Sequence, residues 1–192
     1  MGTTWEQRIE RFWTAFDDTR PEAMLEQMRA LLAERPEHDP EALYEWASVH
    51  DALGLEAAAV PLYRRALELR LDAARKPMAI IQLASSLRNI GEPRAAVQLL
   101  QDLPADAATG EAPQAFLALA LWVCGREREA LRTALLALAP TLPQYGRAVA
   151  AYATELRPPS AAPDRLCPHR PSVGVPSVLP KQEGDAHEHH RT

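Results

Sequence analysis

The chain of 192 residues carries 21 Lys and Arg against 26 Asp and Glu, a formal charge of -5, and all but two of its basic residues are Arg, with no basic run anywhere. That distribution lacks the electrostatic footprint of a nucleic-acid binder, and no stretch approaches the 18 uninterrupted apolar residues a membrane span needs. Two cysteines, Cys124 and Cys167, are too few for a disulfide framework and fit a reducing compartment. Hydrophobic residues make up 47% of the chain, with Ala and Leu dominant and Val and Ile sparse. Unbranched side chains lose little rotamer freedom in a helix, so an all-α class is expected. The polar start, Met1 to Arg8, lacks a signal peptide's apolar run, and Glu6 stands where a myristoylation pattern beginning at Gly2 needs Ser or Thr. A cytoplasmic protein is expected.

Apolar periodicity and Gly or Pro punctuation predict nine short helices, over residues 5–17, 21–34, 41–53, 56–71, 78–90, 93–102, 112–124, 127–138 and 142–156. Gly54, Gly91 and Gly125 each follow a predicted helix, where a residue free to take positive φ closes it. Links this short make neighbouring helices antiparallel, so the chain reads as a row of helical hairpins.

The three glycines are spaced by 37 and 34 residues, a repeat period. Five residues after each stands Ala59, Ala96 or Ala130, small enough for two helices to cross closely. Eight before each stands Trp46, Leu83 or Leu117, followed at once by Ala47, Ala84 or Ala118. The most complete copy runs Leu43, Tyr44, Glu45, Trp46, Ala47 to Gly54, then Ala59, Tyr63, Ala66 and Leu67. Over residues 21–156 this pattern resembles the tetratricopeptide repeat family, in particular its compact bacterial three-repeat group. The resemblance implies a right-handed solenoid of antiparallel helical hairpins. Departures from the pattern are Gln114 for a large residue, Leu103 for a small one, and Pro61 inside a helix, where it removes a donor and should kink the helix or delay its start. Met24, Met28 and Leu31 mark an atypical leading pair, and Tyr145, Val149, Tyr152 and Leu156 a capping helix such as solenoid ends require. The repeat domain is expected over residues 1–156. Residues 157–192, with seven prolines and a His-rich end, are expected to form a disordered tail.

No catalytic constellation stands out. Cys124 precedes a turn glycine and reads as a buried thiol, since a reactive one needs a charged, accessible setting, and nothing local places His50 beside it. His169, His187, His189 and His190 belong to the tail, where a metal site would have to be built by ordering the segment, so neither metal nor cofactor is expected. Isolated glycines make no phosphate cradle, and the carboxylate pair Asp17 and Asp18 has no apolar shelter to split its pKa values.

The resemblance implies a concave groove lined by the first helix of each hairpin. The candidate partner-binding residues there are Tyr44, Glu45, Ser48, Asp51, Gln82, Ser85, Arg88, Asn89 and Trp122, with Leu119 beside the last. Arg88 suits a partner carboxylate; Trp122 is either an interface anchor or packing for the capping helix. Family members that clasp a terminal carboxylate use lysines and asparagines, and none of the predicted inner helices contains a lysine. The expected function is therefore non-enzymatic binding of a protein or peptide partner, an extended segment or a helix. The alternative is a self-associating or small-ligand-sensing unit regulated by its own tail, and a homo-oligomer stays open.

Overall fold

The computed structural model describes residues 3–156; the expected tail lies outside them. The described residues form nine α-helices in chain order: α1 (Trp5–Thr14), α2 (Pro21–Leu32), α3 (Pro40–Ala52), α4 (Glu56–Glu68), α5 (Lys76–Asn89), α6 (Pro93–Leu100), α7 (Ala112–Val123), α8 (Glu127–Leu138) and α9 (Gly146–Glu155), with a 3-10 turn at Ala139–Thr141. None is long and apolar enough to cross a membrane.

Local chemistry sets these bounds. Thr4 and Gln7 form a capping box at α1, and Asp39 caps α3 by accepting from the Ala42 amide at 2.9 Å, with Pro40 in the first turn. The three predicted turn glycines end α3, α5 and α7 in one way. Gly54, Gly91 and Gly125 have φ of 71°, 90° and 73°, each donates to the carbonyl three residues back, and the following residue donates to the carbonyl five back. This pair of bonds is the Schellman motif, which needs the left-handed backbone that glycine adopts without strain. Arg70 closes α4 with the same two bonds at φ 62°, the only non-glycine in that role among the described residues. The helix at 56 runs unbroken through the exposed Pro61 and is anchored by buried Ala59, Val60, Tyr63 and Ala66. At α9 the start moves from the expected 142 to 146. Pro143 precedes left-handed Tyr145, and Gly146 packs so tightly on the Ala139 carbonyl that a Cβ there would clash.

Each hairpin packs on the next: α3 with α4, α5 with α6, α7 with α8, and α4 with α5 and α6 with α7 between them. The first helices of successive hairpins also touch, α3 with α5 and α5 with α7, whereas α4 and α6, and α6 and α8, do not. Close inner helices and splayed outer ones curve the stack, with α3, α5 and α7 on the concave side. One apolar core runs from α3 to α8 around Tyr63, Leu87 and Leu100. A second, built by α1 and α2 from Trp5, Ile9, Phe12, Met24 and Met28, joins it through Val49 of α3.

Candidate functional site

The concave face divides the nine candidate residues into two sets. Tyr44, Glu45 and Ser48 are buried, at 8%, 4% and 2% exposure, and do not line an open groove as expected. Tyr44 packs on Tyr63 with ring centroids 6.1 Å apart. The Ser48 hydroxyl donates to the Tyr44 carbonyl at 2.9 Å and accepts from the Tyr63 hydroxyl at 3.3 Å. Glu45 is covered by α1: Trp13 Nε1–H donates to its Oε2 at 2.7 Å, and Arg75 Nε lies 4.0 Å from Oε1. Burial pushes the Glu45 carboxyl up to about 7, against the opposing pull of the Trp13 bond and the Arg75 charge. The half-buried Asp51 accepts from Ser86 Oγ–H at 2.7 Å, and burial raises its carboxyl to about 6. Asn89 donates to Glu56 Oε1 at 3.0 Å. These polar groups pin one hairpin to the next.

On the inner helices Gln82, Ser85 and Arg88 are half-buried, and Leu119 and Trp122 are exposed. Gln82 Oε1 is buried and accepts no hydrogen bond among the described residues. Arg88 donates to Asn89 Oδ1 at 2.9 Å and makes no ion pair among the described residues, and loss of solvent lowers its pKa. Arg8, Arg35 and Arg75, by contrast, are matched with Glu34, with Asp39 and Glu41, and with Asp72. Leu119 and Trp122 are 45% and 49% exposed, on a helix that the expected capping helix α9 does not approach. The inner helices do contain one lysine, because α5 begins at Lys76, two residues earlier than expected; Lys76 is exposed in the first turn.

Two hollows accompany this face. One, of about 370 Å³, lies between α2 and α3, where the Arg29 guanidinium sits 5.6 Å above the Trp46 ring. The other, of about 450 Å³, lies between α7 and α8 and is lined by Leu119, Trp122, Leu131 and small residues. The sequence reading missed this second hollow, although Leu131 and Ala134 stand in register with Val60 and Tyr63. The same register would have marked Tyr44 as interior, since the next copy places Ile81 there.

Cys124 is buried at the end of α7, and His50 is held by its Nδ1 at 2.7 Å from the Trp46 carbonyl with its ring edge-on to Trp46. No group of three His, Cys, Asp or Glu able to hold a metal occurs among the described residues.

Compared with family models, residues 40–156 match one described as tetratrico peptide repeat, a span that starts at α3 and leaves α1 and α2 outside. No curated protein and no solved structure matches the chain.

Proposed function

The chain belongs to the tetratricopeptide repeat family, whose repeats generally mediate protein–protein interaction, and from that premise we propose that the inner face of α3, α5 and α7 receives a segment of a partner protein. The segment, extended or helical, brings a carboxylate to Arg88 and an apolar side chain to Leu119 and Trp122. The observation that carries this reading is Arg88. A guanidinium that has lost much of its water, with a neutral amide oxygen as its one hydrogen-bond partner among the described residues, gains a charge-assisted bond when a carboxylate arrives. Residues 1–156 carry -6 once the +1 of residues 157–192 is taken from the total of -5, so encounter favours a partner that is basic outside the segment's own carboxylate. Asp51 and Asn89 contribute by fixing the inner helices, and Tyr44, Glu45 and Ser48 by filling the stack. The reading is non-catalytic and needs no cofactor.

The test is affinity capture from the native lysate, followed by titration of the captured partner's binding segment against the intact chain and against Arg88→Gln. Loss of the bidentate partner should weaken binding by about ten- to a hundredfold, with helix content unchanged by circular dichroism. A partner held equally well by the double variant Arg88→Gln, Trp122→Ala would refute the groove.

A further inference from the structure

Every hairpin offers the next one a face built from the same positions. Six and nine residues after the turn glycine stand Val60 and Tyr63 in the first copy, and Val97 and Leu100 in the second; all four are buried, under α5 and α7 respectively. In the third copy those positions are Leu131, 51% exposed, and the exposed Ala134. The helix that follows, α9, packs on α8 and on the 3-10 turn but makes no approach to α7, so it does not fill the place that α5 and α7 fill before it. The result is the 450 Å³ cleft, lined by apolar side chains except for Glu127. Six of the eight large apolar side chains exposed among the described residues lie at this end: Leu119, Trp122 and Leu131 line the cleft, and Leu138, Tyr145 and Tyr152 lie outside it.

We propose that this face seats a second copy of the chain, related by a two-fold axis that lays α7 of each copy into the α7–α8 cleft of the other. Three observations select that occupant. First, the two equivalent faces both receive an α-helix. The sequence of residues 157–192 is poorly suited to supply one, with seven prolines between 158 and 180 and Ala186 as the only aliphatic residue in the run 181–192. Second, α7 carries no charged side chain along its twelve residues and one polar one, Gln114 in its first turn, and a helix this apolar belongs in an interior. Reciprocal seating gives it one, because each α7 is then flanked by the other copy's α7 and α8. Third, the opposite end of the stack is polar: α1 turns Glu6, Gln7, Glu10, Arg11 and Thr14 to solvent. Copies therefore do not add head to tail, and the association closes at two, as an isologous interface does. Uncovered, an apolar patch of this kind would be an association liability. The proposal is independent of the groove reading, since it uses neither Arg88 nor Gln82.

The experiment is sedimentation equilibrium of the full 192-residue chain over the micromolar range, for the natural sequence, Leu131→Glu, Ala134→Glu and the control Leu55→Glu. The natural chain and Leu55→Glu should be dimers. Leu131→Glu and Ala134→Glu should raise the dimer dissociation constant at least about a hundredfold, because each would bury an unpaired carboxylate in the cleft. Leu131 and Ala134 are exposed in the single chain, so both variants should keep its circular dichroism and melting behaviour. A chain monomeric throughout, or a dimer that survives Leu131→Glu, overturns the proposal. So does a dimer that forms only after residues 157–192 are removed, which would make that segment the occupant.

Discussion

Replacing Glu45 by Gln should stabilise the protein above pH 7 and leave it nearly unchanged at pH 4.5. The carboxyl is 4% exposed, and burial holds it protonated to about pH 7, against an ordinary value of 4.5. The folded state therefore binds this proton more tightly than the unfolded chain does. Its contribution to stability is fully present below about pH 4.5 and is lost as pH rises through about 7. A displacement of roughly 2.5 pH, at about 1.4 kcal/mol for each, sets an upper figure of about 3 kcal/mol for what ionisation costs the fold. Gln has the shape of the neutral acid and keeps an acceptor for Trp13 Nε1–H, so the variant escapes that cost. Urea unfolding followed by circular dichroism, at steps between pH 4.5 and 8.5, should show natural-sequence stability falling with pH and the variant falling less, by about 1–3 kcal/mol at pH 8. The remaining slope belongs to Asp51, which is raised to about 6 and has the same sign. Stability that rises across this window, or a variant weaker than the natural chain at pH 8, would refute the reasoning. It would mean that the Arg75 guanidinium, shared with Asp72 and Glu41, outweighs burial at Glu45.

Tyr63→Phe removes the hydroxyl that donates to Ser48 inside the core and should cost about 1 kcal/mol in the same unfolding assay; a neutral or stabilising result would show that bond to be worthless. Gly146→Ala drives a Cβ into the Ala139 carbonyl and should destabilise by about 1–3 kcal/mol. Hydrogen exchange should show the lost protection concentrated in α9, and unchanged protection there would place the close approach elsewhere.

The fold was legible because its determinants are local. Three glycines 37 and 34 residues apart, each with a small residue five positions on, declare both the Schellman turns and the helix crossings, and both depend on neighbours within one hairpin. Where the reading erred, the deciding contact came from far along the chain. Nothing near Glu45 announces that Trp13, 32 residues earlier, covers it, and Tyr44 and Ser48 are closed by Tyr63 on the other helix of their hairpin, a contact that their immediate neighbours do not signal. The shift of α9 has the same cause: Pro143 and Tyr145 signal a break, but the seat of Gly146 on Ala139 is tertiary. Of the candidate groove residues, Arg88 and Trp122 were legible as surface groups, whereas the polar residues around them turned out to pin hairpins together. Inward and outward polar positions look alike in a single sequence when both lie on the inner helix.

The uneven contact between hairpins also has a mechanical meaning. Because α3, α5 and α7 touch one another while α4, α6 and α8 do not, the row of inner helices works as a hinge line and the outer row as the leaves of a fan. Any spreading of that fan also strains the packing of α4 on α5 and of α6 on α7, which joins each hairpin to the next. The Asp51–Ser86 bond crosses one joint of that line, from α3 to α5, and the Glu56–Asn89 bond ties the outer α4 to α5 beside it. Asp51, whose carboxyl burial raises to about 6, thus carries its proton at the joint between two hairpins.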